Sequence, residues 1–533
     1  MSYTRTMNHK RLSLGPLPED LAETLRGLSV NARTGNLRSG DTLDIEAPFD
    51  GTAFGWVGKG TEEDVEDAFT VARRVQTSWR ASTFADRKRI LLRFHDLVLK
   101  NRELLLDMIQ LEMGKNRASA FDEVMDVAIN ARYYGNHLAS FLRPSRHPGA
   151  LPVLTRSREY HYPKGVVGQI SPWNYPLTLG ISDALAALAA GNTVVAKPDS
   201  STPFCTLLAL KLLLEAGLPE NVMQVVTGPG RVVGNAIADR CDYLMFTGST
   251  ATGKTLGEQV GRRLVGFSAE LGGKNPMIVQ ADADLRRAVE GSVHGCFSNS
   301  GQLCVSVERI YVEEGIYDDY LRELTAAVSA MSIGPGLDWS VDMGSLASRQ
   351  QLDTVTEFVE DARAKGATVV TGGRARPDLG PYFYEPTVLT DVPDDARLRR
   401  EEVFGPVIYV QKVCDVEEAL RLANDTTYGL NACIFGDPRT AWEVAPRIEA
   451  GSVNINDGYT ASWGSVDIPL GGVKESGMSR RHGREGLLKY TETQNISEQR
   501  IMPIQGPSAL GRKAYATIVS VALQAGKTTG ILR

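Results

Sequence analysis

Seven stretches of this 533-residue chain carry residues that could do chemistry. Cys304 sits in "NSGQLCVSV", a thiol among small and polar residues that becomes a nucleophile once deprotonated. Glu270 sits in "SAELGGKNP", an otherwise apolar and small run, where a carboxylate pKa rises toward the range useful to a general base. Asn174, in "ISPWNYP", offers an amide donor on a proline-ended turn, and Lys197, in "AKPDSSTP", follows an apolar run and can reach ribose hydroxyls or a phosphate. Gly248 and Ser249, in "FTGSTATG", stand between a strand and a helix, where free backbone N–H groups hold a pyrophosphate. "TGPGRVVG", around Gly230, is a second Gly-rich turn, and neither turn has G-x-G-x-x-G spacing. Glu402 and Phe404, in "EEVFGPV", precede a strand.

Each stretch alone has a plainer reading: a core thiol, a solvated glutamate, an asparagine bonded to its own turn, a lysine in water. Together they are the parts for oxidising a carbonyl through a covalent thioester. Cys304 would attack an aldehyde, and Asn174 with a backbone N–H, expected to be that of Cys304, would hold the oxyanion. Hydride would leave to a nicotinamide, and Glu270 would activate water to cleave the thioester. A cysteine hydrolase would instead need a histidine partner; only His294 is near in sequence, and the cofactor-type turns would be unexplained.

These residues need elements to position them. From Lys164 onward, "GVVGQI", "NTVVAKP", "MQVVTGPG" and "YLMFTGST" alternate with helix-like segments, which predicts βαβ units and a parallel sheet. After Gly272 a second α/β series follows: "NPMIV", "RIYVEE", "ATVVTGG", "PVIYVQKV", "NACIFG" and "SVNIND". In open parallel sheets ligands bind beyond the carboxyl ends of the strands. Earlier in the chain, Thr61 caps an expected helix with the acidic first turn "EED", and a further helical stretch runs from about Ala85 to Met113. "PIQGPSALGR" reads as a linker, and "AYATIVSVALQAG" as a short apolar helix that should dock on something.

Composition narrows the function classes. Hydrophobic residues make up 42% and charged residues 23%, a globular balance, and the length asks for two or three domains. A formal net charge of −6 gives no general reason to bind nucleic acid or an anionic membrane. The opening "MSYTRTMNHKRLSL" shows no secretory h-region, and no apolar run reaches membrane-spanning length. Six scattered cysteines without C-x-x-C suit a reducing cytoplasm, and the histidine spacings hold no metal-ligand pattern.

From about Asp44 to Thr493 the chain resembles the aldehyde dehydrogenase superfamily, through "PWNYP", "KPDSSTP", "FTGST", "ELGGKNP", "NSGQLC", "EEVFGPV" and "PLGGVKESGMSRRHGREGL". The resemblance implies a Rossmann-like cofactor domain (1–145 and 164–272), an α/β catalytic domain (273–473) and a small β oligomerisation arm (146–163 and 487–500). Residues 501–533 extend past the usual family end without an assigned role. It implies Cys304 as nucleophile, Glu270 as base and Asn174 as oxyanion donor, while Cys296 stays structural. The expected cofactor contacts are Ile170, Trp173, Asn174, Lys197, Ser200, Gly230, Gly248, Ser249, Leu271, Glu402 and Phe404. A homodimer or homotetramer is implied, with a small aldehyde as substrate and no metal.

Ser200 stands where NAD-preferring relatives often carry a glutamate, so NADP is the expected preference and NAD a possible alternative; Asp199 beside it could still oppose a 2′-phosphate. The nearest resemblance is to bacterial NADP-dependent succinate-semialdehyde dehydrogenases. Where better-known members carry carboxylate-gripping arginines, this chain has Ser182 and Ser298. The resemblance makes succinic semialdehyde the expected substrate, and the missing clamp makes an uncharged aliphatic or aromatic aldehyde the alternative.

Overall fold

The computed structural model describes residues 19–29, 40–148, 155–501, 505–507 and 509–528. Five apolar runs, Val166–Ile170, Thr193–Lys197, Met223–Val225, Tyr243–Thr247 and Gly266–Glu270, form a parallel sheet. They are buried almost throughout, as strands covered by helices on both faces must be. The short strand Gly477–Met478 returns from far along the chain to pair antiparallel beside Glu270.

A second sheet has seven strands in the order Thr368–Thr371, Thr387–Thr390, Val407–Val413, Val307–Glu313, Asn275–Val279, Asn431–Phe435, Ser452–Ile455, and only the first is antiparallel to its neighbour. A third, antiparallel sheet joins Ser145–Pro148, Thr155–Pro163 and Thr491–Gln499, the last an edge strand. Among the described residues no helix is long and apolar enough to cross a membrane.

Three local readings change. The stretch 85–113 is two helices, Phe84–Lys100 and Arg102–Met113, because Asn101 turns both its backbone N–H and its side-chain amide onto the Leu97 carbonyl. The hairpin Thr42–Ala47/Thr52–Gly58 is an element that apolar runs alone did not mark. The C-terminal apolar helix exists, Arg512–Gly526, but is largely exposed rather than docked. Within the expected linker before it, residues 503, 504 and 508 lie outside the described residues. At Thr61 a full capping box forms with Asp64.

Two helices that follow Trp-Asn-Tyr-Pro and Ser-Thr-Pro begin without a capping side chain of their own, at Tyr175 and Thr202. Buried glutamates from elsewhere supply it. Glu123 accepts the N–H groups of Leu177 and Thr178 at 2.8 and 3.0 Å, and Glu112 accepts those of Phe204 and Cys205. A carboxylate at a helix N-terminus is favourable, and here it replaces the missing cap. Glu123 is in turn paired at 2.8 Å with Lys115, both side chains fully buried.

Removing one partner of such a pair strands the other charge in the interior. Lys115→Met is expected to lower stability by about 3–5 kcal/mol, read as a shifted urea midpoint with unchanged slope. A midpoint within error of the parent would show that the pair is not holding this helix start.

Candidate active site

Cys304 lies on a loop before the Val307–Glu313 strand, and its conformation is unusual. Asn299, Ser300 and Gly301 have φ of 51°, 55° and 68°, three successive left-handed residues. Such backbone costs roughly 1–3 kcal/mol per non-glycine residue and persists only where its surroundings over-determine it. Here they do. The Asn299 amide donates to the carbonyls of Asn174 and Gln302 at 3.0 and 2.9 Å, and the Asn299 N–H donates to Ser119 Oγ at 2.9 Å. Gln302 donates to the Asn299 carbonyl and accepts the Ala347 N–H. A side chain at Gly301 would run into the carbonyl of Gly405. The motif "NSGQ" is thus a clamped loop that delivers the thiol.

Asn174 is buried and meets this loop directly: its Nδ2 donates to the Gln302 carbonyl at 3.1 Å. Lys115 pins the Asn174 carbonyl at 2.7 Å. The Cys304 N–H donates to no acceptor among the described residues, while the Cys304 carbonyl accepts the Asn275 amide at 2.7 Å. Burial, with Glu270 and Glu402 behind it, pushes the Cys304 thiol up to about 12, opposed by Arg481 and by the Val305 N–H. Cys296, by contrast, is packed in the core of the second sheet.

Glu270 ends its strand in the interior. Gly471 is what admits it: a Cβ there would lie 2.9 Å from Glu270 Oε1. Desolvation raises the Glu270 carboxyl to about 7, while Arg481, Lys489 and Arg480 pull it down and Asp183 pushes it up. These neighbours escaped the sequence reading. Arg481 and Asp183 form a buried ion pair at 3.2 Å, and Lys489 stands 3.7 Å from the same aspartate. Charged residues in "DALAAL" and "SRRHGREGLLKY" look like solvated positions until the fold buries them. Their only sequence signal was Asp183 interrupting an apolar helix.

Phe404 and Glu402 are set by another unforeseen pair. Glu308, in the buried strand "VERIYV", accepts the N–H groups of Val403 and Phe404 at 3.0 Å and is bonded to buried Lys274. Phe404 takes φ of 55° and presents its ring edge-on to Trp173, centroids 5.5 Å apart. Glu402 accepts the Gly273 N–H at 2.8 Å, and burial beside Glu308 raises its carboxyl to about 8.

The other sequence-predicted cofactor residues cluster at the carboxyl ends of the first sheet. Ile170 and Lys197 end neighbouring strands, and a Cβ on Gly234 would lie 3.6 and 3.9 Å from them. Lys197 is buried, its pKa lowered by desolvation, and donates to the Pro198 carbonyl at 2.8 Å. Ser200 donates to the Gly228 carbonyl at 2.9 Å, and Asp199 accepts the Ser201 N–H and hydroxyl at 3.0 and 2.8 Å. Gly230 opens a short π-turn with free space around its Cα. Gly248 precedes Ser249, the N-cap of the helix Thr250–Gly261, and Leu271 packs under Gly253 of that helix. A buried cation, a helix N-terminus and open glycine backbone fit a dinucleotide.

Seen from the second sheet the direction reverses. Asn275, Val307, Val407 and Asn431 are strand amino ends, so the loops carrying Cys304, Glu402 and Leu430 precede their strands. The carboxyl-end rule therefore describes only the first sheet. Around Cys304 the walls are Tyr175, Leu179, Leu303, Val305, Leu430, Tyr459 and Trp463. Ser182 donates to buried Asp126 at 2.7 Å and Ser298 to the His294 carbonyl at 2.7 Å, so neither hydroxyl's proton is free for a ligand.

A thiol on a clamped loop and a crevice that fits a dinucleotide are parts that an oxidoreductase uses. A profile of the aldehyde dehydrogenase family matches residues 37–496, and the chain belongs to that family. It is 52% identical over 464 residues to a Mycolicibacterium smegmatis protein provisionally named an NADP-dependent succinate-semialdehyde dehydrogenase, covering 87% of this chain and 90% of the relative. An Escherichia coli K12 NADP-dependent succinate-semialdehyde dehydrogenase is 36% identical, with coverage of 87% and 95%. The NAD+ complex of an aldehyde dehydrogenase from Bacillus cereus superposes with a TM-score of 0.82 at 35% identity, covering 86% of this chain and 94% of the other.

If Glu270 is the base, it works only when deprotonated, so the turnover rate is expected to rise with pH through about 7. Replacing Arg481 by Met removes a cation that lowers this pKa, so the rising limb should move upward in pH. A pH–rate profile of both proteins checks this; coincident limbs would separate Arg481 from Glu270.

Proposed function

We propose that the protein oxidises succinic semialdehyde to succinate, with NADP as preferred acceptor and NAD as an alternative. The observation that carries the mechanism is Glu270, a buried carboxylate with its pKa near neutrality whose charge is felt by the Cys304 thiol. On this reading Cys304 Sγ attacks the aldehyde carbon, its proton passing to the base. The Asn174 amide, giving up its bond to the Gln302 carbonyl, and the Cys304 N–H hold the oxyanion. Ile170, Trp173, Asn174, Lys197, Ser200, Gly230, Gly248, Ser249, Leu271, Glu402 and Phe404 would hold the dinucleotide, which when bound would supply the hydride acceptor. Glu270, having released the thiol's proton to solvent, then takes a proton from the water that cleaves the Cys304 acyl thioester, and that proton passes to the leaving thiolate. A base for water speaks against transfer of the acyl group to coenzyme A.

For the cofactor, Ser200 adds no charge, and the Asp199 carboxylate is turned into its own turn by Ser201, which lessens its opposition to a 2′-phosphate. The names of the Mycolicibacterium and E. coli relatives point the same way. The three larger sheets fit a cofactor domain (1–145, 164–272), a catalytic domain (273–473) and an arm (146–163, 487–500) that joins copies into a homo-oligomer in the cytoplasm.

A second substrate reading rests on a specific observation. Tyr175, Tyr459 and Trp463 line the approach to Cys304, and Ser182 hydrogen-bonds a carboxylate, Asp126, where a cation would be wanted. Those surroundings suit an uncharged aromatic or aliphatic aldehyde.

One panel decides: NADPH and NADH formation with succinic semialdehyde, a straight-chain aldehyde and benzaldehyde, all without coenzyme A. The expected result is highest kcat/KM for succinic semialdehyde with NADP; a lead for benzaldehyde would move the assignment to the second reading. Cys304→Ser is expected to lose on the order of 10³-fold or more in kcat, and Asn174→Ala on the order of 10²–10³-fold. Full activity of Cys304→Ser would overturn the mechanism.

A further inference from the structure

The C-terminal helix Arg512–Gly526 lies beyond the family match and presents an apolar surface that is uncovered among the described residues. Ile518, Val521 and Leu523 are 56%, 63% and 53% exposed, and only Tyr515, Val519 and Gly526 are shielded. Lys513, Thr517, Ser520, Gln524 and Lys527 recur at spacings of three and four, a polar stripe that leaves the rest of the circumference apolar. A helix of fifteen residues is marginal by itself in water, and most helix stability comes from packing of its apolar face. Something must cover this one.

We propose that the helix is a clasp whose uncovered face packs on a second copy of this chain. Two further observations select that occupant. The helix continues from the arm: Thr491–Gln499 is an edge strand, so one row of its backbone N–H and C=O groups has no strand partner among the described residues, and Ile496 and Ile501 are exposed beside it. An edge strand followed by an uncovered apolar helix is the profile of a surface built to meet another subunit. Charge agrees. From Gln499 onward there is no Asp or Glu, while Arg500, Arg512, Lys513, Lys527 and Arg533 are cationic, so the remainder is more acidic than the whole-chain −6 by these five charges. A cationic tail on an acidic body favours contact with the body of another copy. An anionic lipid surface would satisfy the same cations, and it is the outcome that the test must separate.

The test compares the full chain with its Ile518→Asp/Val521→Asp variant by light scattering over a dilution series, with aldehyde oxidation at high concentration reporting intact folding. The variant assembly is expected to come apart at a concentration at least ten-fold higher than the parent, with activity per site retained. Hydrogen exchange of the parent is the second measurement, independent of any variant. Amides of 512–526 should exchange at least ten-fold faster in the dissociated species than in the assembly. Identical dilution profiles, or protection that persists in the smallest species, would overturn the clasp while leaving a homo-oligomer in place. Helix-dependent flotation with phosphatidylglycerol vesicles, without change in mass, would transfer the helix to a lipid partner. A parent that never associates would remove both the clasp and the homo-oligomer, without touching the aldehyde chemistry.

Discussion

The site depends on a single buried ion pair, Lys115–Glu123, which has no solvent contact at either side chain. Glu123 caps the helix that starts at Pro176, and Lys115 holds the carbonyl of Asn174 just before it. Lys115 also lies over the ring of Tyr175, 3.6 Å from its centroid. One pair therefore fixes the turn that aims the Asn174 amide, the start of the helix behind it and one aromatic wall. Two charges stripped of water are costly unless all their hydrogen-bonding capacity is met. Here it is met by backbone groups whose positions matter for the site, so the desolvation cost is offset in the place where rigidity is needed.

The same principle recurs around the thiol and the cofactor face. Glu308 with Lys274 orders the loop of Glu402 and Phe404, and Arg481 with Asp183 borders Glu270. In each case a buried carboxylate–cation pair ties an irregular segment to a regular one. Loops then act as precisely placed scaffolds, and the left-handed backbone at Asn299, Ser300 and Phe404 can be held against its conformational cost.

Much of this was legible in the sequence, unevenly. The alternating apolar runs announced both parallel sheets, because strands buried on both faces leave no polar alternation to confuse them. Cys304, Glu270 and Asn174 stood out through motif chemistry, and the structure places Asn174 against the Cys304 loop and Glu270 within electrostatic reach of the thiol. What stayed hidden was pairwise. Lys115, Glu123, Arg481 and Glu308 are charged residues of ordinary appearance, and nothing local distinguishes a charge that will be buried with a partner, whether that partner is eight residues away, as for Lys115 and Glu123, or far along the chain, as for Arg481 and Asp183. Asn101 was missed for the opposite reason: its stop signal is local, but the apolar period continues across it. The exposed C-terminal helix was read as docked because apolar composition says that a face will be covered, not by which chain.

The short strand Gly477–Met478 has a temporal meaning. It completes the sheet beside Glu270 and brings Gly471 and Arg481 around that carboxylate, roughly two hundred residues after the strand it joins. During synthesis the thiol, the amide and the cofactor turns all leave the ribosome before this segment does. A nascent chain can thus fold most of its first sheet early, yet the charges around Glu270 are assembled only once residues 471–489 have been made. The surroundings of this carboxylate are thus completed after the core that contains them.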